Sequence, residues 1–248
     1  IGSTSKPLYD YAPAIEYNNW STYNLLGDEP YNYSTGQEIY NWDGRYQGLQ
    51  SIRIALKGSR NIPALKTFKA INKSNIIKFV TNLGLSPEIE SNSVHEAHSI
   101  GGYNGESPLT MSAAYAAFAN GGYYNEPYSV NKFVYRQTGV TVEHQGEKKQ
   151  AMSDSTAFMI SSMLQNVELV GGTPSNVACK IGTTRYAEST HNNLNLPYDA
   201  VRDSWVVGYS TQTTIGMWYG YDDLTRESVA QGYVLHQTPA AIQKDRLF

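Results

Sequence analysis

The chain has a single cysteine, Cys179, among its 248 residues, which excludes an internal disulfide framework. Its neighbours Ala178 and Ile181 point to a thiol buried on a strand. So little cysteine fits the cytosol and a disulfide-poor exterior equally, and the compartment stays open. Charge is sparse as well: charged residues make up 17% of the chain and the formal net charge is -3, with 19 Lys+Arg scattered along it. That distribution offers no basic footprint for a phosphate backbone, so no nucleic acid is expected as a partner. No apolar run approaches the ~18 residues of a membrane span, and the first residues show no basic stretch leading into an apolar one. Any targeting or anchoring segment is expected outside this chain. His95 and His98 lie three apart without a third ligand at metal spacing and read as solvated loop residues, so neither a metal nor a cofactor is expected.

Apolar residues reach 40%, enough for one packed domain. Gly2 leads into Ser3, and Pro7 one turn on fits the opening of a helix. Residues 21–48 mix Asn, Gly, Asp, Pro and Tyr without periodicity and read as loops. Leu49 to Leu56 has helical spacing and breaks at Gly58, leaving Ser59-Arg60-Asn61 as a turn before a helix opened by Pro63. Further helices are expected over Ser74–Leu83, from the Ser107-Pro108 cap to Ala119, and from Ser153 to about Val170. Lys132–Tyr135 and Val140–His144 suggest a hairpin. Val177–Thr183, Ser204–Tyr209 and Thr213–Tyr219 are β-rich, the last two an antiparallel pair. A helical middle and a late sheet indicate an α+β fold.

A serine hydroxyl is a weak nucleophile that needs a base within hydrogen-bond reach, and a lysine three residues on along a helix supplies one. Ser3-Thr4-Ser5-Lys6 has that spacing, provided the lysine is made neutral by burial or by a second cation. Ser129-Val130-Asn131-Lys132 matches it too, but at the edge of the expected hairpin, where the two side chains do not share a face. Two further elements favour Ser3. Ser59 and Asn61 on the interhelical turn can relay a proton and bind a peptide amide. Lys180-Ile181-Gly182-Thr183 is the only K-x-G of the chain, on an expected strand where Gly182 permits close backbone approach and an extended peptide can dock.

Ser3-Lys6, Ser59-Asn61 and Lys180-Gly182, in this order and separated by 56 and 121 positions, resemble the three motifs of penicillin-recognising serine enzymes. The flanking words GSTSKPLYDYAPAIE, NWDGRYQG, ALKGSRNIPAL, MSAAYAAFANGG and DSWVVGY make the chain similar to the transpeptidase domain of class A, or bifunctional, penicillin-binding proteins over most of residues 1–220.

The resemblance implies a serine β-lactamase/DD-transpeptidase-like α+β fold, an antiparallel sheet flanked by helices with a helical subdomain. It implies that Ser3 attacks a D-Ala-D-Ala stem peptide, Lys6 takes its proton and Ser59 relays one to the leaving amine. Asn61 would hold the peptide amide, Lys180 and Thr183 the terminal carboxylate, and the backbone N–H groups of Ser3 and Thr183 the oxyanion. Peptidoglycan stem peptides and β-lactams are the implied partners, with an upstream glycosyltransferase module and an N-terminal fragment of the same enzyme. The implied location is the extracytoplasmic face of the bacterial cell membrane, with the anchor outside this chain. Against the family pattern, residues 1–248 are expected to form an N-terminally incomplete domain, and Ile181 replaces the usual Thr or Ser. That removes a hydrogen bond worth about 1.5–3 kcal/mol to the substrate carboxylate.

Rival readings share the same nucleophile. A D,D-carboxypeptidase passes the acyl group to water. A serine β-lactamase needs a hydrolytic base, which Glu88 and Asn92 mimic only in a polar loop with unlike flanking words. A non-catalytic β-lactam-binding sensor draws its support from Ile181.

Overall fold

A computed structural model of the chain describes residues 1–146, 148–167, 174, 176–197, 199–222 and 224–236. The chain opens on a helical segment whose pitch changes twice: a 3-10 turn over Gly2–Ser5, a π turn over Pro7–Tyr11, and α1 over Ala12–Asn18. Pro7 explains the first change. It has no N–H to give the carbonyl of Ser3 four residues back, so Lys6 N–H closes that carbonyl in a tighter i+3 ring.

The stretch after α1 is not wholly irregular, as its composition had suggested. β1 (Leu25–Asp28) pairs antiparallel with β2 (Gly48–Ser51), and a two-residue ladder joins Tyr31–Asn32 to Glu38–Ile39. Leu49, read from spacing as helical, is a strand residue left 71% exposed, and α2 starts at Ile52 (Ile52–Lys57) with Ser51 as its cap. Its buried stripe is Ile52, Ala55 and Leu56, an i, i+3, i+4 pattern that Leu49 merely extended by coincidence.

α3 (Asn61–Ala70), α4 (Lys73–Asn82) and α5 (Pro108–Ala119) follow, the last opened by a Ser107/Thr110 capping box. The expected hairpin is present as β3 (Lys132–Val134) and β4 (Thr141–Glu143). α6 (Asp154–Leu164) is capped by Ser153 and stops short of the expected Val170, which itself lies outside the described residues. His98 is buried within a 3-10 turn over Glu96–Ile100 and stacks on Tyr103 at 4.4 Å, so the solvated-loop reading holds only for its neighbour His95.

The late strands are β5 (Ala178–Arg185), β6 (Ala200–Tyr209) and β7 (Thr214–Gly220), antiparallel in that order, with β8 (Leu235–His236) also pairing with β6. Cys179 is buried on β5, as its neighbours had implied. Lys180 faces Val207 and Gly182 faces Trp205, and the two-residue period puts Lys180 and Gly182 on one face. α5, α6 and the Gly2–Ser5 turn contact the sheet, and its apolar residues share one core with the helices. The α+β architecture expected from the sequence is the one observed.

Candidate active site

The turn that carries Ser3 is pinned from several sides. Thr4 Oγ1 donates to Ile1 O at 2.7 Å, Ser5 Oγ to Ser99 O at 3.1 Å, and the Tyr115 hydroxyl of α5 to Thr4 O at 2.7 Å. Side chains three apart eclipse in a 3-10 turn, so Ser3 and Lys6 project to one side. Ser3 is half-buried at the surface end of that face, and Lys6 is fully buried below it.

Lys6 Nζ directs its hydrogen bonds to the second motif rather than to Ser3 Oγ. It donates to Ser59 O and to Asn61 Oδ1, each at 2.7 Å, with Ser59 Oγ at 3.4 Å. Lys180 Nζ reaches across from β5 and donates to the same Ser59 Oγ at 2.9 Å. Ser59 therefore stands between two lysines, and an Oγ that accepts from Lys180 keeps its own proton free to give. Its backbone is left-handed, with φ of 52°, a conformation that costs a non-glycine residue roughly 1–2 kcal/mol and must be held by its surroundings.

Backbone bonds from Ser59 N–H to Leu56 O at 3.1 Å and from Arg60 N–H to Ala55 O at 2.9 Å close this turn, and beside it lies a polar clasp that spacing alone did not reveal. Arg60, fully buried, donates Nε–H to Asp28 Oδ2 at 2.8 Å and Nη1–H to Asp43 Oδ2 at 2.9 Å, and its Nη2 bonds the carbonyl of Arg45. Arg60 provides no side-chain cap for α3, so Asn41 does it from a distance: its Oδ1 accepts from Asn61 N at 2.8 Å and from Ile62 N at 3.4 Å. Asn61 Nδ2 donates to Tyr40 O, and Trp42 Nε1 to Gly58 O. The sequence carried one sign of this: Asn41, Asp43 and Arg45 belong to the word NWDGRYQG.

Gly182 is required by its close approach to the turn that carries Ser3. A Cβ there would stand 2.3 Å from Ile1 O and 3.1 Å from Ser3 N. Gly2, with φ of +55°, completes the contact from the other side, since a Cβ on it would be 2.9 Å from Thr183 N. The amides of Ser3 and Thr183 thus flank the same junction. Ile181 is partly buried against the core, and Thr183 is half-buried.

Burial lowers the Lys6 pKa well below the ordinary lysine value. The Lys180 ammonium adds to the effect, Asp10 opposes it, and Arg60 reinforces it. A neutral amine here would have two N–H bonds for Ser59 O and Asn61 Oδ1 and a lone pair left to accept a proton. Among the described residues no group of three or more His, Cys, Asp or Glu side chains could hold a metal ion.

A half-buried serine at the opening of a helix, a buried lysine one turn on, and a hydroxyl that accepts from a second lysine on a strand are thus set on an α+β scaffold. The family described as the penicillin binding protein transpeptidase domain matches residues 1–224, and the chain belongs to that family. It is 44% identical over 228 residues to penicillin-binding protein 1A/1B of Bacillus subtilis (strain 168), a match covering 88% of this chain and 25% of that protein. Penicillin-binding protein 1A of Streptococcus oralis is 36% identical over 250 residues, covering 94% of this chain and 38% of the relative. The structure of the penicillin-binding protein PonA1 from Mycobacterium tuberculosis shares the fold with a TM-score of 0.77 at 21% identity, covering 98% of this chain and 66% of that one. The chain thus spans roughly a quarter to two-fifths of the length of these curated relatives.

Proposed function

We propose that this chain forms one catalytic domain that acts as a peptidoglycan D,D-transpeptidase, with Ser3 as nucleophile and Lys6 as its base. The observation that carries the reading is the placement of Ser59 Oγ, 2.9 Å from Lys180 Nζ and 3.4 Å from Lys6 Nζ, which joins side chains of all three motifs. Ser3 Oγ attacks the carbonyl carbon of the penultimate D-alanine while Lys6 accepts the hydroxyl proton. The C–N bond to the last D-alanine then breaks, and Ser59 passes a proton to the leaving amine. The developing oxyanion is met by the N–H groups of Ser3 and Thr183. Asn61 holds the substrate amide, Lys180 and Thr183 hold its carboxylate, and Gly182 lets strand and nucleophile turn meet. An amine from a second stem peptide attacks the ester carbonyl, forms the cross-link and releases Ser3.

β-Lactams enter by the same route, since ring opening leaves the acyl group on Ser3. The relatives' description as penicillin-binding proteins supports this. Work on peptidoglycan places the domain at the extracytoplasmic face of the membrane, and no helix among the described residues is long and apolar enough to cross one. An anchor and a glycosyltransferase module would then belong to the longer protein. Intact mass after exposure to labelled penicillin tests the reading. One adduct that maps to Ser3 and is absent from Ser3→Ala is expected, and an adduct that survives in Ser3→Ala defeats it. Persistence of the adduct for many minutes fits a transpeptidase, and turnover in seconds a β-lactamase.

A further inference from the structure

Ser59 has to present two different atoms to one lysine. Its carbonyl accepts from Lys6 Nζ at 2.7 Å while its Oγ lies 3.4 Å from the same nitrogen and accepts from Lys180. A left-handed φ at this residue makes that possible, and nothing in a serine side chain favours it.

The next residue carries the restraint. Arg60 points away from the lysines, into a site where 1% of its side chain and none of Asp28 is exposed. Three directions of its planar fork are taken, by Asp28 on β1 and by Asp43 and the Arg45 carbonyl on the loop between β1 and β2. Asn41 ties the same loop back, donating to Asp28 Oδ1 at 2.7 Å and to Arg45 O at 2.9 Å while capping Asn61. The guanidinium plane is thus fixed at its far end, and the peptides on either side of the Arg60 Cα, which lead to Ser59 and Asn61, are fixed with it. A lysine would keep the charge but not the three directions.

We propose that Arg60 is a positioning residue for acyl transfer: its clasp with Asp28, Asp43 and Arg45 holds the Ser59 carbonyl and hydroxyl on Lys6. The proposal rests on the reading of Ser3, Lys6 and Ser59 given above, and it assigns to the middle residue of the motif a task that the motif itself leaves blank. The side-chain hydrogen bonds of Arg60 run to Asp28, Asp43 and Arg45 and to none of Ser3, Lys6 and Ser59.

The test follows β-lactam acylation of the full chain, separating the initial non-covalent binding constant from the limiting acylation rate. Arg60→Lys and the charge-balanced pair Arg60→Met with Asp28→Asn are compared with Asp43→Asn. A merely structural clasp would change neither parameter in molecules that remain folded. With positioning, the limiting rate falls about 100-fold in the charge-balanced pair, in keeping with the cost of a misplacement of about 1 Å. The fall is smaller in Arg60→Lys and smaller still in Asp43→Asn, and binding changes less than about threefold. An acylation rate within about twofold of the parent in folded Arg60→Lys, or a loss confined to binding, overturns the proposal. Should the double variant fail to fold, Arg60→Lys and Asp43→Asn decide, because neither leaves a buried charge without a partner. Ser3→Ala and Lys6→Ala run alongside separate the two claims: an adduct on Ser3→Ala, or undiminished acylation of Lys6→Ala, defeats the underlying reading whatever Arg60 does.

Discussion

The hydroxyl of Tyr115, buried in α5, donates to the carbonyl of Thr4 at 2.7 Å, and the bond spans 111 positions of sequence. It gives the carbonyl of the residue after Ser3 a partner that the turn does not supply at i+3, where Pro7 has no N–H. Tyr115→Phe leaves that carbonyl unpaired in a dry site, so a stability loss of about 1–3 kcal/mol is expected. Urea unfolding checks it, and an unchanged midpoint would show that the turn is held without this bond.

Gly182→Ala is expected to fold and to acylate poorly. The added methyl meets Ile1 O at 2.3 Å, so either β5 or the Gly2–Ser5 turn must move. Overpacking of this kind costs about 1–3 kcal/mol in stability. A displacement near 1 Å at the nucleophile costs about 100-fold in rate. The second-order acylation constant measured on folded protein tells the two effects apart.

Ile181→Thr addresses the departure from the family pattern. The side chain is partly buried against the core and offers no hydrogen bond to a carboxylate. A hydroxyl there should raise β-lactam acylation by roughly tenfold, less than the full worth of about 1.5–3 kcal/mol for a hydrogen bond to a charged group, because under the proposed function Thr183 would supply part of it. No gain over the parent would sink the idea.

The pH profile of acylation should report Lys6. A base acts when deprotonated, and the folded pKa of Lys6 is lowered by burial first and by Lys180 second. The rate should therefore rise with pH and level off well below the ordinary lysine range, with the limb absent in Lys6→Ala. A limb that rises only in the ordinary lysine range would mean that Lys6 is not desolvated in solution.

Asp10 makes a stability prediction of its own. It is fully buried, both oxygens lack hydrogen-bond partners among the described residues, and burial raises its pKa well above 3.8 despite Lys6 and Lys73. A carboxyl whose folded pKa is raised contributes stability that is fully present below the unfolded value and lost as pH rises through the folded one. Asp10→Asn should thus be more stable than the parent near neutral pH, by about 1 kcal/mol or more, a full pKa unit being about 1.4 kcal/mol. The difference should vanish as the pH falls toward the unfolded carboxylate value. Equal stability of the two proteins at both ends would refute it.

Much of the site could be read from the sequence because each motif sits where local structure is strongly signalled. Ser3 precedes Pro7, Ser59-Arg60-Asn61 follows a glycine break, and Gly182 interrupts a β-branched run. The Ser129 match was separable on the same grounds, since Lys132 lies on an exposed hairpin strand. The clasp around Arg60 was not legible: Asp28 and Asp43 lie 32 and 17 positions away, in a stretch with no period to announce that it folds back. β2 was missed because Leu49 happens to extend the stripe of α2. His98 was misjudged because its burial depends on stacking with Tyr103, a tertiary fact with no local sign.

Lys180 meets Ser59 across 121 positions, and Lys6 meets Asn61 across 55. Contacts this distant close late in folding, after the entropy of the intervening loops has been lost, and they slow a chain relative to one built from local turns. A helical fragment of this protein could therefore regain its secondary structure in isolation and still be chemically inert. If Ser3 takes up penicillin as proposed, that labelling becomes a clock for the last stage of folding, reading only molecules in which Lys6, Ser59 and Lys180 have already met.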